Sequence, residues 1–228
     1  MCKEALRKII VKLEKDKILR EVINELESKG YHTIILYGSR AKGKETKLSD
    51  YDLIAIGKNG KNLHENRLIC GFYIDLFIYN EADVKNIDSS FLRVRGGIVL
   101  KEKDNLGQHI LEKVEEIFIS KPQAPTEAQI EFQRSWARKM IERVDSKENE
   151  ITEINYRRVE ILYLLLEQYF VLRRKWYLGP KESFSWLKKH DLNTYKCFDK
   201  ALSSSASVSD IIQLVNRVLY NLNHEENA

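Results

Sequence analysis

The sequence predicts an α+β chain: a mixed β-sheet with flanking helices in residues 1–121, then an all-α helical bundle in residues 126–228. Three observations predict it. Short apolar runs with the two-residue alternation of strands fall at 32–37, 51–57 and 71–79. Two of the chain's three prolines sit together in Lys121-Pro122-Gln123-Ala124-Pro125-Thr126, which marks a boundary. Beyond it the apolar residues recur at helical spacing only.

Taken in order, residues 3–29 place Leu6, Ile9, Ile10, Leu13, Ile18, Val22, Ile23 and Leu26 near helical spacing, and read as one amphipathic helix stopped by Gly30. His32 to Tyr37 is a first strand, a polar loop follows, and Tyr51 to Gly57 is a second strand. Lys58-Asn59-Gly60-Lys61 signals a turn. Residues 63–70 and 71–79 read as the next pair of strands, with a helix over 81–87 and a segment around Val99-Leu100 closing the sheet region.

In the second region Thr126 is placed to cap a helix over 127–144. A helix over 153–175, apolar nearly all round from Ile161 to Leu166, is expected at the bundle's buried centre. Further helices are expected over 180–189, 192–202 and 208–222. Trp136, Trp176 and Trp186 read as core or interface residues.

The composition narrows the class. A hydrophobic fraction of 43% with 32% charged residues is that of a soluble globular protein. No apolar run approaches the length of a membrane span, and the N-terminus mixes Lys and Glu where a signal peptide would be apolar. Three distant cysteines (Cys2, Cys70, Cys197) argue for a reducing cytoplasm and against a disulfide frame or a zinc site. The net charge of +4 is spread: residues 126–228 hold 16 Lys+Arg against 15 Asp+Glu, and residues 1–125 hold 22 against 19. Neither half is a basic module, which favours a small-molecule substrate while leaving nucleic acid open.

The chemistry concentrates in Ile34 to Leu53. A strand runs into Gly38-Ser39, and a second strand opens with Asp50-Tyr51-Asp52. Strand alternation points Asp50 and Asp52 to one face, with Ile54 and Ile56. Two neighbouring carboxylates repel unless a cation sits between them or one takes up a proton, and paired oxygen ligands suit Mg²⁺ together with substrate phosphates. A helix starting at Gly38-Ser39 would aim N–H groups and a positive dipole end at a phosphate. A third acid, Asp75, interrupts the apolar run from Gly71 to Tyr79, opposite a core face of Phe72, Ile74, Leu76 and Ile78. If that strand pairs beside the second, the three acids share one metal cluster. Gly38-x-x-x-x-Gly43-Lys44 nearly spells a P-loop, but Glu45 stands where that motif needs Ser or Thr, and no long helix follows.

Gly38-Ser39, ten residues, Asp50-x-Asp52 and a later apolar-Asp75-apolar resemble the pattern of the polymerase-β-type nucleotidyltransferase superfamily. Within it the chain looks most like the small antibiotic-type (kanamycin or lincosamide) nucleotidyltransferases, which follow a compact catalytic domain with a helical one. The resemblance implies a nucleotidyltransferase fold for 1–121 and an acceptor-substrate domain for 126–228. It implies transfer of a nucleoside monophosphate, AMP from ATP, to a hydroxyl of a small aminoglycoside-like acceptor, with release of pyrophosphate. Asp50, Asp52 and Asp75 would be the catalytic acids and the ligands of two Mg²⁺ ions, with Mn²⁺ as an alternative metal. Gly38 and Ser39 would bind the triphosphate, with Arg40 preferred to Lys42 and Lys44 as its counter-charge. A homodimer also stays open, since such relatives often build clefts between subunits.

The base that deprotonates the acceptor has two candidates: Asp75, or a glutamate of the stripe Tyr156, Glu160, Tyr163 and Glu167 on the central bundle helix. The stripe also reads as an exposed edge. The histidines (32, 64, 109, 190, 224) lack ligand spacing, and none reads as catalytic. Rival readings are an antitoxin-like enzyme that nucleotidylates protein or RNA with the same acids, and an inactive nucleotide-binding relative. A helical ribonuclease using Arg217 and His224 is a remoter rival.

Overall fold

The computed structural model describes residues 3–58, 62–146 and 148–221. Cys2, His224, residues 59–61 of the expected turn and residue 222 of the expected last helix lie outside them. The chain divides into two compact units, Met1–Ser120 and Lys121–Ala228. Among the described residues no helix is long and apolar enough to cross a membrane.

The first unit opens with α1 (Lys3–Glu14) and α2 (Lys17–Ser28), where the sequence suggested one continuous helix. The break has a local cause. Asp16 leaves helical geometry and its side chain accepts from the N–H groups of Ile18 and Leu19, so a polar side chain between two helical stretches caps the second. Then come β1 (Tyr31–Tyr37), the single turn α3 (Gly38–Ala41), β2 (Tyr51–Gly57), β3 (Leu63–Ile69), β4 (Phe72–Asn80), β5 (Ile98–Lys101) and α4 (Leu106–Ser120). The helix expected over 81–87 is a 3-10 turn at Asp83–Lys85. A second 3-10 stretch, Ser89–Val94, and α4 were not foreseen.

The sheet order is β3-β4-β2-β1-β5, with β2 and β4 parallel and the other neighbours antiparallel. One face buries Ile34, Leu36, Tyr51, Leu53, Ala55, Ile74, Leu76 and Ile78 against Leu13, Leu19, Val22 and Leu26 of the first two helices. Both β1 and β2 are buried on both faces, so their side chains read as nearly continuous apolar runs. β4 keeps the alternation: Ile74, Leu76 and Ile78 go inward and Asp75 goes to the opposite face.

The second unit comprises α5 (Glu127–Asp145), α6 (Ile151–Leu172), α7 (Pro180–His190), α8 (Leu192–Ala201) and α9 (Val208–Leu219). Thr126 and Gln129 form a reciprocal capping box at the start of α5. α6 is central but not buried all round. Ile161, Leu162, Leu165, Leu166, Tyr169 and Phe170 face the core, while Tyr156, Val159 and Tyr163 are each about two-thirds exposed. Tyr169, with its ring fully buried, donates its hydroxyl to Asp191 at 2.9 Å. Asp191 also accepts from Thr194 and, at 3.1 Å, from Arg217. Arg217, invoked above for a ribonuclease, is therefore held in a structural network.

Candidate active site

The site is built where β1 ends and β2 and β4 run side by side. β2 and β4 pair in register with Asp52 directly beside Asp75. Side chains at paired positions share a face, so both carboxylates leave the sheet on the side away from α1 and α2. Asp50 lies two positions earlier, just outside the strand, and is exposed. Across the antiparallel pair, Tyr37 stands opposite Asp52. Burial first, and then the Asp75 charge, push the Tyr37 phenol well above its ordinary value; Arg93 opposes and Asp52 adds to the rise. One tyrosine thus senses both acids.

The glycine at the head of the turn is dictated twice. Gly38 has φ +71°, a conformation that costs other residues steric strain. A Cβ there would stand 2.0 Å from Asp52 Oδ2. Backbone and carboxylate touch, and no side chain fits between them. The turn that follows is only four residues long, so the expected helix dipole shrinks to a few local N–H groups at Gly38-Ser39.

Arg40 points back into the loop. It donates to the backbone carbonyls of Ser49 at 2.7 Å and Asp50 at 3.0 Å, and lies 3.7 Å from the Tyr51 ring centroid. Its guanidinium fork therefore holds the loop that delivers Asp50. Glu45, which spoiled the P-loop pattern, pairs with Lys12 and anchors the same loop to α1.

A histidine joins the acids. The β3–β4 hairpin turns at Cys70-Gly71 and pairs Asn66 with Asp75 and His64 with Phe77. His64 Nε2 donates to Asp75 Oδ1, and its ring stacks on Phe77 with centroids 4.0 Å apart and planes 6° from parallel. Arg93 lies over the Phe77 ring at 3.8 Å and donates to the Tyr79 hydroxyl. Sequence spacing gave no sign of His64, which lies eleven residues before Asp75. The two-residue hairpin turn was the usable signal, because it sets the cross-strand register.

The donor chemistry suits a hard cation: Asp50, Asp52 and Asp75 offer oxygen atoms only, two of them adjacent in register, beside a glycine whose missing Cβ makes room for the Asp52 carboxylate. Among the described residues no three His, Cys, Asp or Glu side chains already converge on one point. Closure on an ion therefore requires Asp50 to come in from its loop. Of the other candidates, Glu160, Tyr163 and Glu167 lie on α6 in the second unit. Glu160 is paired with Arg157 at 3.1 Å, and Tyr163 is 65% exposed.

Residues 20–106 match the family model described as Polymerase beta, Nucleotidyltransferase. That span runs from within α2 to the start of α4 and takes in all five strands and the three acids. Over that span the chain fits a nucleotidyltransferase domain of the polymerase-β type. The chain is also similar to a solved structure, a nucleotidyltransferase-like protein from Exiguobacterium sibiricum 255-15. That likeness has 15% identity and a TM-score of 0.41, over 89% of this chain and 72% of the other. No curated protein matches the chain.

Proposed function

We propose that the chain is a Mg²⁺-dependent nucleotidyltransferase that moves a nucleoside monophosphate, AMP from ATP, onto a hydroxyl of a small aminoglycoside-like acceptor. The observation that carries this reading is the register pairing of Asp52 with Asp75 on one face, with Gly38 pressed against Asp52. In the reaction the acceptor oxygen bonds to the α-phosphorus, the bond from that phosphorus to the β-bridging oxygen breaks, and pyrophosphate leaves.

Asp50, Asp52 and Asp75 would hold two Mg²⁺ ions, or Mn²⁺ in their place. When bound, the metal supplies charge stabilisation for the attacking and leaving oxygens. Gly38 and Ser39 form the turn that meets the triphosphate, with backbone access that a larger residue would block. Arg40 orders the Ser49–Asp50 segment, from which Asp50 would move in to meet the metal. The hydroxyl proton passes to the Asp75 carboxylate. Glu160 and Glu167 are the competing bases, and replacing each by Gln tests them.

The experiment is a screen of labelled ATP, GTP, CTP and UTP against aminoglycosides, lincosamides, tRNA and proteins, with the Asp52→Asn variant in parallel. Transfer from ATP to a small molecule that needs Mg²⁺ and is lost in Asp52→Asn is the expected result. Label entering RNA alone, or full turnover by the variant, overturns the reading.

A further inference from the structure

The carboxylate of Asp75 is held by a side chain from the edge of the sheet. We propose that His64 is a positioning residue that fixes the Asp75 carboxylate for metal binding; this rests on the metal site proposed above. His64 is restrained twice, by different physics. Its ring lies flat on Phe77, and the Arg93 guanidinium also packs over that phenyl ring. Its Nε2 meets Asp75 Oδ1. A carboxylate oxygen accepts, so the ring nitrogen donates.

The stack sets the ring's plane, and the hydrogen bond then sets the carboxylate's rotation. Asp75 is 25% exposed at its side chain and would otherwise be able to turn about its Cβ–Cγ bond. With Oδ1 engaged, Oδ2 remains to meet a cation shared with Asp52, the register partner. His64 is half exposed and at the sheet border, so its own burial contributes little to the fold. Hydrogen-bond partners that orient a metal-binding carboxylate typically change metal affinity by about 10–100-fold.

The test measures Mn²⁺ binding to the full chain by electron paramagnetic resonance, without turnover. His64→Phe keeps an aromatic ring for the stack and loses the donor; His64→Gln loses the ring and keeps an amide donor. Mn²⁺ affinity is expected to fall about tenfold or more in His64→Phe and to recover largely in His64→Gln. Circular dichroism melts check that both variants are folded. A role limited to stacking predicts the opposite order, and that order, or unchanged affinity in His64→Phe, overturns the proposal. Asp52→Asn separates the two levels. If it loses Mn²⁺ while His64→Phe does not, only the role of His64 fails; if it binds Mn²⁺ like the wild type, the metal site itself fails.

Discussion

Replacing Gly38 by alanine perturbs the site through two separable effects. The first is backbone strain: at φ +71° a residue with a Cβ is disfavoured by about 1–2 kcal/mol. The second is collision, since the new Cβ would lie 2.0 Å from Asp52 Oδ2 and 2.8 Å from its Cγ. To reach the 3.0 Å below which real Cβ atoms are essentially never found, the carboxylate or the turn must retreat by about 1 Å. A displacement of that size at reacting groups costs about 100-fold in rate. Gly30→Ala is the control, because Gly30 has φ +88° and nothing within 4 Å of its added Cβ. Both variants should lose the strain cost in urea unfolding followed by circular dichroism, with Gly38→Ala losing more because of the collision. Only Gly38→Ala should also lose Mn²⁺ affinity and about 100-fold in pyrophosphate release with an accepted substrate. Equal turnover in the two variants would falsify the claim that this glycine exists to make room for the carboxylate.

The remaining predictions concern the loop, the bundle and its cap. Arg40→Ala removes two charged hydrogen bonds and a stacked guanidinium, and should cost about 2–3 kcal/mol with faster amide exchange in residues 44–52. A raised KM for the triphosphate with unchanged stability would instead make Arg40 a phosphate ligand. Asp191 titrates at about 2 in the folded chain: burial raises it, but hydrogen bonds from Thr194, Tyr169 and Arg217 outweigh burial. Because the folded value lies below the unfolded one, this stability is present above about pH 4 and is lost as pH falls towards 2. Its size is on the order of 2 kcal/mol. All three tryptophans lie in the second unit, so urea unfolding followed by their fluorescence should show the gap between wild type and Asp191→Asn narrowing from pH 6 to pH 3. A gap that stays constant with pH rules this out. Thr126→Ala breaks a capping box and should destabilise the second unit by about 1 kcal/mol, read by the same fluorescence.

Local patterns were legible where one residue type answers one local need. The strand β2 was readable to within a residue, its expected opening at Asp50 falling at Tyr51, because its apolar run is bounded by a polar loop and by a turn. The α5 cap was readable because Thr126, a good capping residue, stands just before the helical pattern; its reciprocal partner Gln129 came only with the structure. The break between α1 and α2 was misread for the converse reason: apolar spacing continues across Lys15-Asp16, and only the Asp16 side chain turning onto Ile18 and Leu19 interrupts it. α4 was missed although Ile110, Val114, Ile117 and Phe118 recur at helical spacing and the first two are fully buried; its pattern was there to be read.

By itself the chain displayed the residues that the proposed chemistry would use: a glycine-serine turn, two acids two residues apart at the head of a strand and a third inside an apolar strand, each a matter of short-range spacing. Only the tertiary structure decided how they meet. The parallel register of β2 and β4 puts Asp75 beside Asp52, and the turn of the β3–β4 hairpin brings His64 onto Asp75. The loop's carbonyls draw Arg40 inward. The β3–β4 register follows from a local turn, but the parallel β2–β4 register depends on hydrogen bonds between strands that no tight turn joins, and a residue's own neighbours do not encode that partner.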